Sequence, residues 1–312
     1  MPKAFITGIN GFVGTHLNNL LSQEGVDVYG TVKPGNEESL DDHLFPVDLL
    51  DFDRMREVIG SVEPDYIYHL AALTSPAESF KNPALTMTNN ISGQLNVLDA
   101  VKTLQLMQTK VLVVSSAEVY GAAQEHDLPI NEETPLRPRS PYAVSKIAQD
   151  FLGYQYFVSQ QVKSIRVRPF NHIGPYQGPF FAVPTFAKQI AEIEKGIKEP
   201  ILKVGNLDSR RDFTDVRDIV KAYSLLMEKG IDGEVYNIGS GHSHAISEIL
   251  DMLLSFSSEK IVVETDPELM RPADIPELRC DYHKLHHTTG WKPEIPLETS
   301  LRDTLDYWRK IV

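Results

Sequence analysis

The chain opens with a short apolar strand that leads through three glycines into a helix. Residues 3–7 read Lys-Ala-Phe-Ile-Thr, and Gly8, Gly11 and Gly14 follow. Gly8 lets the chain turn tightly, Gly11 leaves room for a pyrophosphate, and Gly14 lets the helix pack closely. The N-terminus of a helix favours negative charge because its N–H groups are unpaired. The segment therefore predicts a dinucleotide-binding site, with a turn one residue longer than the common Gly-x-Gly-x-x-Gly spacing.

The composition limits the partners that the chain can have. Its 312 residues carry 43 acidic and 30 basic side chains, which gives a net charge of −13. This balance argues against nucleic acid or an acidic membrane as the main partner. Cys280 is the single cysteine, and no apolar run approaches the length of a membrane span. We expect a cytoplasmic protein with no signal peptide, no nucleic-acid or membrane partner, and no metal site.

Short β-rich runs alternate with helical stretches along most of the chain. Such alternation is typical of parallel strands with covering helices, and the unbroken apolar run of residues 111–114 suits a central strand. We predict an α/β protein with a Rossmann-type, doubly wound parallel sheet and a smaller, interleaved C-terminal substrate domain. The predicted strands are residues 4–7, 27–32, 65–70, 110–115, 164–167 and 235–238.

Prolines and glycines become frequent after residue 168, up to a helix predicted near residues 186–195. Open α/β sheets bind ligands at the carboxyl ends of their strands, so we expect this region to form a second domain over that edge. The strand at 235–238 is expected to return to the first sheet. The predicted dinucleotide-binding domain is residues 1–168 with 213–240, and the predicted substrate domain is residues 169–212 with 241–312.

A tyrosine and a lysine four residues apart are predicted to act together at the start of a helix. Residues 140–146 read Ser-Pro-Tyr-Ala-Val-Ser-Lys. Positions four apart on a helix lie about 5–6 Å from each other, so Lys146 can lie beside Tyr142. Its charge is expected to lower the tyrosine pKa from about 10, which suits proton transfer near neutral pH. Tyr29 and Lys33 share this spacing, but on a predicted strand their Cα atoms stand roughly 13 Å apart.

Ser116 follows the strand predicted at 110–115 and so reaches the same edge of the sheet. A serine hydroxyl there can donate to a carbonyl oxygen or accept from a carbinol beside Tyr142. The alternative is a serine that only caps the next turn. The glycine turn, Ser116 and the Tyr142/Lys146 pair together indicate hydride transfer. A nucleotide-sensing regulator with this fold would not need all three.

Together these motifs resemble the extended short-chain dehydrogenase/reductase family, whose members act on nucleotide-activated sugars. The resemblance covers nearly the whole chain, from the glycine-rich turn to residues 290–293 and 306–309. The resemblance implies that Tyr142 is the general acid/base, that Ser116 is its partner, and that Lys146 tunes the tyrosine and holds the nicotinamide ribose.

The same resemblance implies the positions that contact the cofactor. Asp48 and Leu49 would flank the adenine, residues 69–72 would lie along the cofactor, and Asn89 or Asn90 would be a structural hydrogen-bonding position. The expected cofactor-binding residues are Gly8, Asn10, Gly11, Phe12, Val13, Gly14, Thr31, Lys33, Asp48, Leu49, Leu70, Ala71, Ala72, Tyr142 and Lys146.

Three segments are similar to the GDP-mannose branch of that family: residues 168–175, 210–216 and 271–274. The similarity implies a GDP-linked deoxyhexose substrate, with arginine on the diphosphate and a carboxylate on the guanine N–H donors. It also implies a homodimer through the helices that carry Asn96 and Tyr142. The expected substrate-binding residues are Asn171, Val183, Lys188, Arg211, Arg271 and Asp274.

Two reactions of this branch are open to the chain. One is reduction of the C4 ketone of GDP-4-keto-6-deoxy-D-mannose to GDP-D-rhamnose, with Tyr142 as the acid. The other is 4,6-dehydration of GDP-mannose, in which Glu118 would be the base. Ala117 stands where dehydratases carry a hydroxyl or carboxyl residue, which favours reduction. A sugar-nucleotide epimerase that retains its cofactor is the remaining enzymatic alternative.

The end of the second predicted strand indicates the form of the cofactor. NAD-specific sites usually carry Asp or Glu there to bind the ribose 2′-hydroxyl. This chain has Thr31 and Lys33 instead, which suit a 2′-phosphate, although Glu37 and Glu38 follow closely. We therefore expect NADPH as the preferred cofactor, with NADH as a tolerated alternative.

Overall fold

A parallel sheet of seven strands forms the centre of the chain, in a computed structural model that describes residues 1–35, 41–270 and 275–312. The strands and helices follow each other along the chain in an alternating β/α pattern for most of its length. In order they are β1 (Lys3–Thr7), α1 (Phe12–Gln23), β2 (Asp27–Val32), β3 (Leu44–Pro46), α2 (Phe52–Val62), β4 (Tyr66–His69), α3 (Pro76–Lys81), α4 (Pro83–Thr103), β5 (Lys110–Val114), α5 (Pro141–Gln160), β6 (Lys163–Pro169), β7 (Asn171–Ile173), α6 (Ala182–Glu194), β8 (Ile201–Val204), β9 (Arg210–Asp215), α7 (Val216–Lys229), β10 (Val235–Ile238), β11 (Ser243–Ala245), α8 (Ile246–Ser255), β12 (Val262–Thr265), β13 (Glu277–Leu278), α9 (His283–Thr289) and α10 (Leu297–Ile311).

The central sheet has the strand order β10-β6-β5-β4-β1-β2-β3, and every neighbouring pair is parallel. The direction of winding reverses between β1 and β4, so a crevice opens at the carboxyl ends of these two strands. Doubly wound sheets bind their ligands at such a switch point. The predicted fold class is thereby confirmed, and the glycine-rich turn lies at this crevice.

Alternate side chains of each central strand enter two different apolar layers. Phe5, Ile67 and Val111 pack on one face with α2, α4 and α5, whereas Tyr68 and Leu112 pack on the other face with α1 and α7. Burial of both faces explains why these strands are apolar without a break. The layers fix the sheet rigidly beneath the crevice.

A second region is built over the carboxyl edge of this sheet. Its central strand is β9, whose first half pairs with β11 and β13 and whose second half pairs with β7. β8 and β12 form a separate parallel pair, and α6, α8 and α10 share an apolar cluster. The expected boundary between residues 212 and 213 falls inside β9, so the division into two domains stays a proposal.

The predicted strands all occur, with ends that differ by at most two residues. Residues 235–238 form β10 and pair with β6, as expected. The predicted helix at 186–195 begins earlier, at Ala182. The sequence did not reveal the short strands of the second region, because strands of three residues carry little pattern. None of the helices in the described residues combines the length and apolar character that a membrane crossing requires.

Candidate active site

The glycine-rich turn lies between β1 and α1. Gly8 has a φ of +72°, which side chains rarely adopt. A Cβ on Gly14 would stand 2.3 Å from the carbonyl oxygen of Gly8, so only glycine allows α1 to approach the turn this closely. Gly11 directly precedes α1 and, within the described residues, no side chain caps the first turn of the helix. The N–H groups there are therefore available to an anionic ligand such as a pyrophosphate.

Thr31 holds this turn from the end of β2. Its carbonyl oxygen accepts from the N–H groups of Gly8 at 3.0 Å and Ile9 at 3.1 Å, and its hydroxyl lies 3.2 Å from the Gly8 nitrogen. Thr31 is only 2% exposed. The structure thus gives Thr31 a part in shaping the turn, and its expected contact with a 2′-phosphate stays a prediction.

The carboxyl end of β4 forms the other wall of the crevice. The Thr7 hydroxyl accepts from the N–H groups of Leu70 and Ala71, both at 3.1 Å. With its acceptor sites used, this hydroxyl donates its own hydrogen to His69 Nδ1 at 2.9 Å, which leaves the imidazole proton on Nε2. Burial lowers the pKa of His69 to about 3, and the nearby charge of Lys146 adds to this effect. His69 is therefore neutral, with a fixed tautomer.

Asn90 ties the loop after β4 to α5. Its side-chain oxygen accepts from Leu73 N–H at 2.8 Å, and its side-chain nitrogen donates to the Leu73 carbonyl at 3.0 Å and to Ser145 Oγ at 3.0 Å. The structural role expected for Asn89 or Asn90 thus belongs to Asn90.

Tyr142 lies in the first turn of α5, where capping fixes its position. Ser140 Oγ accepts from Ala143 N–H at 3.1 Å, and the Tyr142 N–H donates to buried Ser79 Oγ at 3.1 Å. Tyr142 is 7% exposed, and the Ser116 hydroxyl is near enough to favour the charged form of its phenol. Ser116 Oγ also accepts from the Glu118 N–H at 3.2 Å. Ser116 therefore caps the turn after β5 and lies on the side of that turn that faces Tyr142.

Lys146 lies one turn further along α5 and is almost completely buried. Its Nζ donates to the Val114 carbonyl at 3.0 Å and stands 5.9 Å from the centre of the Tyr142 ring. Burial lowers the pKa of Lys146 to about 7, because the interior disfavours the charged form. The pairing of Tyr142 with Lys146 on one helix face is as expected.

The expected effect of Lys146 on the tyrosine pKa is wrong for the protein alone. Burial raises the pKa of Tyr142 well above its ordinary value, the hydrogen bond from Ser116 opposes this, and the charge of Glu118 adds to it. The cost of burying a phenolate outweighs any help from a lysine that is itself only partly charged near pH 7. Tyr142 is accordingly a neutral phenol with a proton to donate.

Comparisons with known proteins identify the family of the chain. The family model described as GDP-mannose 4,6 dehydratase matches residues 5–304. A protein of Pseudomonas aeruginosa named GDP-6-deoxy-D-mannose reductase is 38% identical over 310 residues, which covers 99% of this chain and 98% of that protein. The chain belongs to the GDP-mannose 4,6-dehydratase family.

Two further relatives extend the likeness across the family. A solved structure described as RMD from Pseudomonas aeruginosa complexed with NADPH is 36% identical, has a TM-score of 0.88 and covers 100% of both chains. A GDP-mannose 4,6-dehydratase of Vibrio cholerae is 29% identical and covers 95% of this chain and 90% of that protein. The resemblance to nucleotide-sugar reductases and dehydratases that the sequence indicates is confirmed.

Most of the expected cofactor positions follow the carboxyl ends of β1, β2, β3 and β4, and their contact with a cofactor stays a prediction. Asn10 is exposed beside Gly11, and Phe12 stacks on His172 with ring centres 5.8 Å apart. Leu49 packs against Gly93 of α4, where an added Cβ would stand 3.2 Å from the Leu49 Cβ. Leu70, Ala71, Ala72 and Val13 are partly exposed, and Asp48 and Lys33 are exposed.

The expected substrate positions lie in the second region, in different environments. Asn171 begins β7 next to His172, which stacks on Phe12. Arg211 Nη1 donates to the Ile275 carbonyl at 2.7 Å. Lys188 lies 3.7 Å from Glu192, and Val183 is 1% exposed in the apolar cluster of α6. Arg271 and Asp274 lie outside the described residues, as do Glu37 and Glu38, so their expected roles stay predictions.

The two residues that distinguish reduction from dehydration flank the start of the turn after β5. Glu118 is partly buried, and its charge acts on Tyr142. Ala117 is 3% exposed and has no group that could give a proton to a leaving hydroxyl. Within the described residues, no group of three or more His, Cys, Asp or Glu side chains could hold a metal ion.

A buried ionic network that the sequence analysis missed supports the segment carrying Ser116. Asp150 is fully buried and accepts from Arg166 and Arg168, each at 2.7 Å. Arg168 also donates to the Tyr120 hydroxyl at 2.9 Å, which in turn donates to Asn237 at 2.7 Å. The network connects α5, β6 and β10 to the turn after β5. Two arginines on a buried strand were the only signal, since their acidic partner lies 16 or more residues away.

Proposed function

We propose that the protein is an NADPH-dependent reductase that converts the C4 ketone of GDP-4-keto-6-deoxy-D-mannose to the alcohol of GDP-D-rhamnose. The observation that carries this proposal is the placement of Lys146 one helical turn from Tyr142, with its Nζ 5.9 Å from the centre of the phenol ring, and of Ser116 in the turn beside the phenol. The choice of substrate is supported by the full-length likeness to a protein named GDP-6-deoxy-D-mannose reductase.

The reaction needs a hydride at C4 and a proton at the oxygen of the ketone. Bound NADPH supplies the hydride. As the C4–H bond forms, the π electrons of the carbonyl move to oxygen, and Tyr142 gives that oxygen its phenolic proton. Ser116 donates a hydrogen bond to the same oxygen and so stabilises the developing negative charge. A raised tyrosine pKa suits this direction of reaction, because the acid must hold its proton until the oxygen becomes basic.

The cofactor fits the residues at the switch point of the sheet. The uncapped N-terminus of α1 suits the pyrophosphate, and the left-handed Gly8 keeps the turn open. Exposed Lys33, beyond the end of β2, can offset the charge of a 2′-phosphate. The relative solved with NADPH supports this choice, and NADH is included as a weaker alternative.

The nucleotide sugar would extend from the crevice into the second region. Asn171 and Arg211 are proposed to contact the diphosphate, with Val183, Lys188, Arg271 and Asp274 around the guanosine. Asn171 supports this direction because its neighbour His172 stacks on Phe12 of the glycine-rich turn. Arg211 is 6% exposed, so a substrate would meet a guanidinium that is already held in place by backbone carbonyls.

Dehydration of GDP-mannose is the second candidate, because Glu118 lies close enough to Tyr142 for its charge to raise the pKa of the phenol. That reaction also requires an acid for the C6 hydroxyl, and apolar Ala117 offers none. We therefore assign Glu118 a supporting catalytic role at the reductase site rather than the role of dehydratase base.

We further propose that the protein is a cytoplasmic homodimer that pairs through the outer faces of α4 and α5. Leu85, Val144, Phe151, Tyr154 and Val158 are apolar, lie on these two helices, and are 42–58% exposed. Covering such a face in a symmetric pair removes apolar surface from water. Sedimentation velocity of the purified protein tests the assembly, and cell fractionation tests the location.

Two incubations of the purified protein test the reaction. With GDP-4-keto-6-deoxy-D-mannose and NADPH, we expect oxidation of NADPH and a product two mass units heavier than the substrate. With GDP-mannose and no reductant, we expect no loss of water. Water loss in the second incubation, with no turnover in the first, would replace the reductase by the dehydratase.

A Tyr142→Phe variant tests the proton donor. We expect turnover to fall about 10²–10⁴-fold, because the phenolic proton is gone. NADPH affinity, measured by calorimetry, should change little. Unchanged turnover would remove Tyr142 from the mechanism.

A further inference from the structure

Five polar atoms in one part of the interior have no hydrogen-bond partner among the described residues. They are Nε2 of His69 and the side-chain nitrogen and oxygen atoms of Gln94 and Gln149. The three side chains are 2%, 0% and 0% exposed, respectively. Buried polar groups are almost always hydrogen-bonded, so this group requires a partner.

The register of α4 and α5 places the two glutamines opposite each other. Both helices follow strands of the same parallel sheet on the same face, so they run in the same direction. The hydrogen bond between Asn90 and Ser145 sets their register. Gln94 comes four residues after Asn90 and Gln149 comes four residues after Ser145, so the glutamines stand opposite each other one turn further along.

His69 lies at the same level of this layer. Ile67 of β4 packs in one apolar cluster with Val97 and Leu98 of α4. Gln94 precedes Leu98 by about one helical turn, so it lies about 6 Å nearer the carboxyl edge of the sheet. His69 follows Ile67 by two residues on the strand, so it lies about 6.6 Å nearer the same edge and on the same face of the sheet. The imidazole and the two amides therefore meet where β4, α4 and α5 pack together.

One water molecule can satisfy four of the five unpaired atoms, and a second can accept from the remaining amide nitrogen. Because Thr7 fixes the tautomer, Nε2 of His69 is a donor, and each amide offers two donor hydrogens and one acceptor oxygen. A water molecule can accept from His69 and from one amide nitrogen while it donates to both amide oxygens. A polar interior site with two to four such partners is typical of conserved buried water.

We propose that Gln94, Gln149 and His69 hold buried water beside the ammonium group of Lys146, and that this water positions and hydrates the lysine next to Tyr142. His69 pairs in register with Val113, and the next residue, Val114, accepts from Lys146 Nζ at 3.0 Å, so the ammonium group lies beside the strand end that carries His69. Nζ has donor hydrogens beyond the one given to Val114. The titratable groups facing it are His69 from β4 and Tyr142 from its own helix, with Glu118 acting on Tyr142 from the turn after β5. The catalytic part of this inference rests on the proposed reductase function.

A crystal structure of the wild-type protein at high resolution tests the water directly. We expect density for a water molecule within hydrogen-bond distance of His69 Nε2 and of an amide oxygen of Gln94 or Gln149. Density in which the two amides bond to each other or to other protein groups, with no water between them, would overturn the inference.

A double variant, Gln94→Met with Gln149→Met, tests the effect on Lys146 while nearly keeping the side-chain volume. Loss of hydrating water disfavours the charged lysine, so the high-pH limb of kcat/KM should move to lower pH by about one unit, a tenfold change in the acid dissociation constant. Gln23→Met, the same change at an exposed site at the end of α1, is the matched control and should keep the wild-type profile. A double variant with the wild-type profile would overturn the inference.

Two further measurements separate failure of this inference from misfolding of the variant and from failure of the proposed function. If the double variant does not fold, each single variant is tested for the same direction of shift. If the wild-type protein fails to reduce the keto sugar, the proposed function fails, whereas the water density and the pH dependence of unfolding still decide this inference. An unfolding profile that is the same in wild type and double variant would count against it.

Discussion

Replacing Lys146 by methionine should make the folded protein more stable while it abolishes efficient turnover. Burial lowers the pKa of Lys146 from 10.5 to about 7, a difference of about 3.5 units. At about 1.4 kcal/mol per unit, the buried lysine lowers the free energy of unfolding by about 5 kcal/mol below pH 7. The variant also loses the hydrogen bond to the Val114 carbonyl, worth about 1 kcal/mol, which leaves a net gain of about 3–4 kcal/mol.

The sign of the pH dependence follows from proton binding. Between pH 7 and pH 10.5 the unfolded chain holds a proton on Lys146 that the folded protein has released. The unfolded state therefore binds more protons, and the free energy of unfolding of the wild type rises with pH in this window. The advantage of the Lys146→Met variant should be full below pH 7 and vanish near pH 10.5.

Thermal unfolding of cofactor-free protein at pH 6 to 10 measures this effect. For a chain of this size we expect the variant to melt about 5–10 °C above wild type at pH 6, with a difference that shrinks as pH rises. Lys102→Met, at an exposed lysine in the last turn of α4, is the control and should change the free energy of unfolding by less than about 0.5 kcal/mol. A variant that is less stable than wild type at pH 6, or a difference independent of pH, would refute the reasoning.

Two other substitutions test the cofactor site. Gly14→Ala would place a Cβ 2.3 Å from the Gly8 carbonyl oxygen, so we expect a loss of about 1–3 kcal/mol in the free energy of unfolding and weaker NADPH binding by calorimetry. Gly60→Ala is its control, since the added Cβ meets only the end of the Leu104 side chain, and equal effects of the two would contradict the close-approach argument. Lys33→Ala should raise the KM for NADPH about tenfold and leave that for NADH nearly unchanged, because the lysine charge serves only the 2′-phosphate. An equal rise in KM for both cofactors in steady-state assays would show that Lys33 does not bind the 2′-phosphate.

Local patterns were enough to predict the central sheet and the arrangement of the reacting groups. The glycine turn, Ser116 and the Tyr142/Lys146 pair each depend on a strand end or a helix face, which short sequence segments define. The direction of the Tyr142 pKa was not predictable in this way. It depends on burial, which is set by residues from several elements, and on Glu118 from the turn after β5.

Roles that depend on distant pairs were also beyond the sequence. Thr31 was expected to face the cofactor phosphate, yet its carbonyl and hydroxyl hold the glycine turn from a strand 23 residues away. Asp150 carries no local sign that two arginines will surround it. Such partners are brought together only by the order of strands in the sheet.

The position of α7 and β10 in the chain has a consequence for synthesis on the ribosome. One face of the central sheet is covered by α7, and its outer strand β10 ends only at Ile238, after much of the second region has been translated. The nascent chain must therefore emerge past this point before the nucleotide crevice has its complete support. Until then Tyr68 and Leu112 lack the cover of α7 and have only α1 on their face of the sheet, so pauses in translation before Lys229 are expected to increase misfolding more than later ones.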